Sequence, residues 1–306
     1  MKNPNTHKNA NARALKKVNG TLTHNRKTST PKTANLNVSH LKSDARTMLY
    51  GNQDEVAQLI GKIEFKDQWI HVVKGSTWYQ WTGTYWHQDL KAGGFDTIRK
   101  GLRTAIKRMN SWVKQMLRNG GLSNKDQKKL VSDAGKADLA KRAKHYISDI
   151  YALVSKDDDY TIAPGAFDAD PNHLGTPEGT VDLTIPDFIS ADPCHYISRQ
   201  TICAPAKGEP DRWLQFLDEI FAGDQGVIDF IQRLCGYALT GQTREEKLFF
   251  LYGSGANGKS KFLETLTYIW NNYATRIAPT TLLNKRFSEH STEIAKLAGA
   301  RLVLGS

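Results

Sequence analysis

The sequence has few cysteines and no long apolar run. Its 306 residues include only three cysteines, Cys194, Cys203 and Cys235. Their number and irregular spacing exclude a disulfide framework and a zinc knuckle, so we expect reduced, buried thiols. No run of about 18 apolar residues occurs, and the sequence therefore predicts no membrane span. The first residues also lack the apolar segment of a secretory signal, which favours a cytoplasmic protein.

Acidic residues are scarce in two segments. Residues 1–46 contain ten lysines and arginines and one acid, and residues 94–118 contain seven and one. The formal net charge of +11 comes from these segments, because acids slightly outnumber bases in the rest of the chain. Phosphate backbones of nucleic acids are the partners that such segments favour. With 39% apolar and 24% charged residues, the composition is that of a globular protein.

Composition and periodicity divide the chain into five regions. Residues 1–45 have almost no large apolar side chains, which predicts a disordered basic tail, either a solvated leader or a non-specific DNA contact. Residues 50–160 are predicted to form a Trp-rich β-meander with helices, the first of them at 54–63, and 161–208 a connection rich in Pro, Gly and Asp. A helical pair at 209–241, with Asp224 as the predicted cap of its second helix, then leads into an α/β nucleotide-binding region at 242–306.

Four of the seven tryptophans lie in or beside three short predicted strands, at 69–73, 77–81 and 84–86. Gly75 and Gly83 supply the turns between these strands. The indole rings either form the core of a small sheet, which is the commoner case, or stack unpaired nucleic-acid bases. These residues are Trp69, Trp78, Trp81 and Trp86.

Residues 94–118 have the pattern of an amphipathic helix, with apolar side chains every three or four positions. Its other face is basic, and either contacts DNA phosphates or keeps a surface helix soluble. A second helical region is predicted at 123–154, with an interruption at Gly135. The candidate DNA-binding residues are Arg99, Lys100, Arg103, Lys107 and Arg108, and Lys114 and Arg118 continue the same basic face.

Residues 253–260, Gly-Ser-Gly-Ala-Asn-Gly-Lys-Ser, have the spacing G-x-x-x-x-G-K-[ST] of a phosphate-binding loop. The apolar run at 248–252 predicts a strand buried in a parallel sheet. The apolar stripe that follows predicts a helix beginning near Lys259. Strand, glycine loop and helix in this order predict a nucleotide site, although a glycine-rich turn before an ordinary helix is the simpler alternative.

The residue types of this loop suit a triphosphate. Glycines permit the torsions that turn successive N–H groups inward, and the helix start adds attraction for anions. Lys259 is predicted to reach the β and γ phosphates, and the Ser260 hydroxyl to bind Mg²⁺. ATP and Mg²⁺ are therefore the expected cofactors. The predicted nucleotide-binding residues are Gly253, Ser254, Gly255, Ala256, Asn257, Gly258, Lys259 and Ser260.

Six segments carry a family resemblance: AFDADP at 166–171, GTVDL at 179–183, WLQFL at 213–217, GYALTG at 236–241, FLYGSGANGKS at 250–260 and LAGARLV at 297–303. Together they resemble the phage and plasmid primase-helicase family, whose motor is a superfamily 3 helicase domain related to that of poxviruses. The resemblance covers about residues 50–306. It implies an AAA+-like P-loop NTPase fold, ring-shaped homo-oligomers, and ATP-driven movement on single-stranded DNA, with a replication origin as a further DNA partner.

Two departures from the family pattern qualify this expectation. Only a basic tail precedes the Trp-rich sheet, so primer synthesis is unsupported. The sequence ends at Ser306, where the family's second nucleotide motif begins, and the acid expected to hold Mg²⁺ would follow. We therefore expect an incomplete motor that binds nucleotide weakly and does not hydrolyse it alone. A non-catalytic DNA-binding or oligomerisation fragment and a metabolic phosphate-loop kinase are the alternatives.

Overall fold

The computed structural model describes residues 38–253, 255–279 and 296–305. These ranges form a mixed α/β structure of helices and three small sheets. The helices are α1 Val38–Tyr50, α2 Gln53–Glu64, α3 Gly93–Arg118, α4 Asn124–Lys141, α5 Lys144–Val154, α6 Asp211–Ile220, α7 Gln225–Leu239 and α8 Lys259–Trp270. The strands are β1 Trp69–Val72, β2 Thr77–Trp81, β3 Trp86–Gln88, β4 Thr161–Ile162, β5 His173–Thr176, β6 Gly179–Asp182, β7 Asp187–Ile189, β8 Ala274–Ile277 and β9 Leu302–Gly305.

The N-terminal part of the predicted tail, residues 1–37, lies outside the described residues. For residues 38–45 the prediction of disorder is wrong, because they belong to α1. Ala45, Met48 and Leu49 are buried, and their spacing of three and four residues places them on one face of the helix. Met48 and Leu49 join the main apolar core, which offsets the entropy lost on ordering α1.

The main core lies between helices α2 to α5 and a four-stranded sheet of order β3-β2-β1-β4. Strands β1, β2 and β3 form the predicted antiparallel meander, with left-handed turns at Gly75 and Gly83. The third strand begins at Trp86 rather than at residue 84, because Thr82 donates its hydroxyl to the Tyr85 carbonyl and closes a turn there. The two-residue strand β4 pairs parallel with β1 and has no periodicity from which it could be predicted.

Three of the four sheet tryptophans serve the core. Trp78 packs edge to face against both Phe65 and Trp69, and Trp69 makes a tilted ring contact with Phe65. Trp86 is also buried, and its indole N–H donates to the Pro193 carbonyl at 2.9 Å. Trp81 is half-buried beside Trp86. The interpretation of this cluster as core is therefore confirmed for the three buried rings, which have no free face for stacking on a base.

Helices α2, α3 and α8 occupy the predicted positions, and the predicted cap Asp224 accepts a hydrogen bond from the Val227 N–H at the start of α7. Helix α4 corrects the predicted break at Gly135, because it continues through this residue to Lys141. The helix break falls instead at Arg142 and Ala143. A single glycine costs a helix only about 1 kcal/mol, which the packing of α4 on α3 can offset.

The region of residues 161–208 contains a small antiparallel sheet of order β5-β6-β7. A separate parallel pair, β8 and β9, follows α8. The predicted strand at 248–252 is not formed: these five residues have no strand partner among the described residues, and Phe250 and Tyr252 are 79% and 92% exposed. The run instead borders a cavity of about 530 Å³ lined by α7, α8 and β9. Its side chains therefore stay exposed, although their apolar pattern predicted burial.

The phenol of Tyr273 connects the β5 sheet to the chain after α8. Its hydroxyl accepts a hydrogen bond from the Gly175 N–H at 2.9 Å and donates one to the Arg199 carbonyl at 3.1 Å. The Arg301 guanidinium lies 4.5 Å from the ring centroid, in cation–π geometry. Arg301 also donates to the carbonyls of Leu239 and His173. We refer to Gly175, Arg199, Tyr273 and Arg301 as the Tyr273 joint.

Two of the three cysteines differ from the expectation of buried thiols. All three are unbonded, but Cys194 and Cys203 are exposed, and only Cys235 is half-buried. Cys194 lies in a short 3-10 helix, Pro193–His195, and Cys203 in irregular chain, both between β7 and α6, where no apolar periodicity requires burial. Within the described ranges, none of the helices combines the length and the apolar character that a membrane crossing needs.

Two glycine-to-alanine changes test the close packing at the Tyr273 joint. A Cβ on Gly175 would lie 2.1 Å from the Arg199 carbonyl oxygen, so we expect Gly175→Ala to lower the free energy of unfolding by about 1–3 kcal/mol or more. A Cβ on Gly135 of α4 meets nothing within 4 Å, and Gly135→Ala should raise stability by about 0.4–1 kcal/mol. Urea unfolding of both variants measures the difference. Equal effects of the two changes would contradict the packing described here.

Alkaline unfolding tests the buried phenol. Burial raises the pKa of Tyr273 to about 12. Because the folded-state pKa lies above the ordinary value near 10, this group stabilises the fold fully below pH 10 and loses that effect as the pH rises towards 12. Tyr273→Phe should cost about 1–3 kcal/mol at pH 8, since it leaves the Gly175 N–H unpaired. It should also make the loss of stability between pH 10 and 12 less steep, while the buried phenols of Tyr146 and Tyr160 keep their share of that loss. Tyr268→Phe, at a residue that is 71% exposed, is the control and should change neither quantity.

Candidate nucleotide-binding loop and basic helix

Helix α8 begins immediately after the glycine loop. Gly258 is its N-cap residue, with φ of 79°, and no side-chain hydrogen bond caps this end. The first N–H groups of a helix have no partner within the helix, so these amides are available to an anion. The positive end of the helix dipole lies at the same place. The sequence prediction that the helix starts at Lys259 is confirmed.

The loop backbone adopts the left-handed torsions that its glycines permit. Gly255 and Gly258 have φ of 92° and 79°, and Gly253 has φ of 155°. Ala256, with φ of 51°, adopts the same region despite its side chain, which costs on the order of 1 kcal/mol. Ser254 was also predicted to contribute, but it lies outside the described residues. This sequence of torsions is typical of loops that direct several N–H groups toward one anion.

The Lys259 ammonium is folded back over the loop. Its Nζ donates to the Asn257 Oδ1 at 2.5 Å and lies 3.4 Å from the Gly253 carbonyl oxygen. A Cβ on Gly253 would lie 2.0 Å from the Asn257 Nδ2, so the asparagine amide covers this glycine closely. Among the described residues the lysine thus has only neutral partners, which a phosphate oxygen could replace with a stronger, charge-assisted bond. This contact of the Asn257 side chain was not predicted from the sequence.

Ser260 lies in the first turn of α8 and is exposed. Its hydroxyl is therefore accessible to a ligand held by the loop. In the ranges that the structure describes, no group of three or more His, Cys, Asp or Glu residues is placed to hold a metal ion. A Mg²⁺ ion here would therefore rely on Ser260, phosphate oxygens and water, which matches the coordination that Mg²⁺ usually takes with nucleotides.

Helix α6 supports the loop from behind. A Cβ on Gly258 would lie 2.3 Å from the Ile220 Cγ2, so only glycine fits between the loop and the end of α6. Trp213 of α6 stacks on Phe262 of α8, with ring centroids 5.7 Å apart and planes inclined by 16°. Together with buried Leu217 and Leu266 they form an apolar cluster beneath the loop. This support was not predicted, because it joins segments about 40 residues apart in sequence.

The five candidate DNA-binding residues do not share one environment. Arg99 and Lys100 both pair with Asp96, the latter at 2.6 Å, and these hydrogen bonds lower the pKa of the Asp96 carboxyl. Arg108 is half-buried near Glu64, whose pKa is raised by burial and lowered in part by that arginine. Arg103 and Lys107 are exposed and make no ion pair with a described residue. Of the five candidate residues, the structure therefore leaves the side chains of Arg103 and Lys107 without an ion pair and places the other three beside an acid.

Comparison with known proteins identifies the part of the chain before the loop. Residues 58–222 match the family described as D5 N terminal like. Over 80 residues the chain is 36% identical to a protein of Acanthamoeba polyphaga mimivirus named "Putative helicase L207/L206". That match covers 26% of this chain and 8% of the mimivirus protein. The family match begins within α2 and ends just after α6, the helix that contacts Gly258, and it covers more than half of the sequence: the chain belongs to the D5 N terminal like family of viral and phage primase-helicase proteins.

Proposed function

We propose that this chain carries the ATP-binding loop of a superfamily 3 DNA helicase that replicates a phage, plasmid or integrated mobile element. The observation that supports this most is the start of α8, where left-handed Gly258 precedes uncapped helix amides with Lys259 and Ser260 beside them. The family membership rests on residues 58–222, which exclude the loop. The two lines of support are therefore independent of each other.

Each loop residue has a proposed role toward ATP. The amides from Gly255 to Ser260 would hold the phosphate oxygens, and Lys259 would leave Asn257 to bind the β and γ phosphates. Ser260 would hold Mg²⁺, which offsets negative charge between these phosphates. The whole protein would use this site for ATP hydrolysis, for movement along single-stranded DNA and for assembly into a ring. Those activities extend the proposal beyond the loop itself.

A DNA-binding role that needs no nucleotide is the second candidate. It is favoured by the basic side chains Arg103 and Lys107 of α3, which have no ion pair with a described residue. They lie on the side of the helix away from the core and are far more exposed than its apolar face. The two candidates differ in what they require of the loop. Only the helicase needs Lys259 for its function, because a passive DNA-binding protein does not bind triphosphate.

Replacement of Lys259 tests the ATP site. Lys259→Ala removes the cation proposed to bind the β and γ phosphates, and hydrogen bonds to charged groups contribute about 1.5–3 kcal/mol each. We expect the Kd for a labelled ATP analogue to rise about 10- to 100-fold, measured by fluorescence anisotropy. Lys261→Ala is the matched control, since Lys261 is exposed and its ammonium pairs with Glu264 of α8 instead of folding over the loop. Unchanged binding by Lys259→Ala would refute the proposed site.

Replacement of Ser260 tests the metal. In the wild-type chain, Mg²⁺ should tighten binding of the ATP analogue relative to a sample containing chelator. Ser260→Ala should keep the affinity measured in chelator and lose most of the enhancement by Mg²⁺, because the loop amides remain while the hydroxyl is gone. Thr265→Ala, which removes a hydroxyl one turn further along α8, serves as control. An undiminished Mg²⁺ effect in Ser260→Ala would contradict the metal assignment.

A further inference from the structure

Helix α3 presents a straight row of basic side chains that have no ion pair among the described residues. Arg103, Lys107, Lys114 and Arg118 are all exposed, and none makes an ion pair or a side-chain hydrogen bond with a described residue. At about 100° of rotation per residue they fall within an arc of about 60° on the helix. We call these four residues the basic stripe. The sequence already placed all four on the basic face of this helix, and the structure adds that they form one row without ion pairs to described residues.

The helix holds this stripe rigidly. On the opposite side of α3, Leu102, Ile106, Met109 and Val113 are buried in the main core. The stripe runs from Arg103 to Arg118, a rise of about 22 Å along the helix. That length matches six to seven phosphates at the roughly 3.4 Å spacing of one strand of B-form DNA, and fewer phosphates of a more extended single strand.

No acid interrupts the stripe. Asp96 is the only acidic residue of α3, and it is already paired with Arg99 and Lys100 at the first turn. The neighbouring helix α4 adds further exposed lysines on its own solvent side: Lys125, Lys128, Lys129 and Lys136. The acids of α4 are engaged in part, since Asp138 pairs with Arg142 and accepts a hydrogen bond from Asn110.

The side chains that lie beside the basic stripe favour one class of partner. The exposed positions beside the stripe are Thr104, Ser111 and Gln115, and α3 has no large apolar side chain among the exposed ones. A protein interface normally has an apolar or aromatic centre, and a membrane-surface helix needs apolar side chains to insert. A nucleic-acid backbone, which is regularly charged and hydrated, needs neither an apolar centre nor apolar side chains to insert. Phosphates repeated along a strand therefore fit the stripe best.

We propose that the basic stripe of α3 binds the phosphate backbone of single-stranded DNA without reading its sequence. This rests on the proposed function for the identity of the nucleic acid, and it adds the surface that holds the strand. The stripe lies on a helix of the family-matched region, outside the glycine loop and its supporting helix α6. Binding of the strand and binding of ATP should therefore be separable by mutation.

A triple variant of the full chain tests the stripe. Arg103→Gln, Lys107→Gln and Lys114→Gln together remove three charges with side chains that favour a helix. The matched control replaces three exposed lysines away from α3, Lys66→Gln, Lys74→Gln and Lys207→Gln, with the same change in net charge. The probe is a labelled 20-nucleotide oligo-dT, with anisotropy measured from 50 to 300 mM salt. Circular dichroism checks that both variants keep the wild-type helix content.

The stripe variant should lose about 100-fold in affinity at 0.1 M salt. The slope of its plot of log K against log salt should become less negative by about 2. The control should keep the wild-type slope. Equal losses in both variants would overturn the proposal, because general charge would then explain binding. It would also be overturned if the stripe variant kept its DNA affinity but lost binding to anionic vesicles or to poly-glutamate. The ATP analogue should bind the stripe variant normally, and oligo-dT should bind Lys259→Ala normally, so that failure of either site is distinguished from failure of the other.

Discussion

The position of α8 depends on one buried hydroxyl. Tyr273 follows α8 by three residues and is 0% exposed, yet its oxygen both accepts from the Gly175 N–H and donates to the Arg199 carbonyl. A hydroxyl can do both, whereas an apolar side chain of the same shape would leave two buried backbone groups unpaired. The Arg301 guanidinium above the ring adds contacts to the Leu239 and His173 carbonyls. Chain segments from four parts of the fold therefore meet at the Tyr273 joint.

This joint fixes one end of α8, and helix α6 fixes the other. At the N-terminal end, Ile220 of α6 leaves room only for glycine at position 258, and Trp213 stacks on Phe262. Twelve residues of helix, about 18 Å long, are thus held at both ends by elements that precede the loop in sequence. A phosphate nest needs amides that are already oriented before the ligand arrives, because orientation after binding would reduce the affinity. The packing of α6 and the joint on α8 meets this requirement.

The local sequence pattern was sufficient to predict those features of the structure that are encoded within about twenty residues. The apolar stripe of α3, the Asp224 cap of α7 and the apolar stripe that begins after Lys259 all predicted helical features that the structure has. Failures occurred where burial depends on distant partners. The run at 248–252 has the apolar pattern of a central strand, but no described strand lies beside it, and β4 is too short to carry a pattern at all. Contacts such as Tyr273 with Gly175 join residues 98 apart and leave no local signal.

The basic residues illustrate the same distinction. Their presence on α3 follows from the sequence, but which of them are free depends on neighbours: Asp96 engages Arg99 and Lys100, while Glu64 of α2 lies near Arg108. The helical period of 3.6 residues places Arg103, Lys107, Lys114 and Arg118 on one side of the helix, but it does not show that they lack partners. Charge counts locate a binding segment, whereas the pairing of each side chain decides which residues can meet a phosphate.

The central claim is that the amides of a preformed loop at the start of α8 hold the phosphates of ATP. A titration of the full, ¹⁵N-labelled chain with a non-hydrolysable ATP analogue and Mg²⁺, followed by amide NMR, tests it most directly. The account predicts that the largest shifts fall on residues 255–260, while amides of β5 and of the Tyr273 joint stay in place. Saturable binding with unmoved loop amides, or shifts spread over the joint and the β5 sheet, would contradict it.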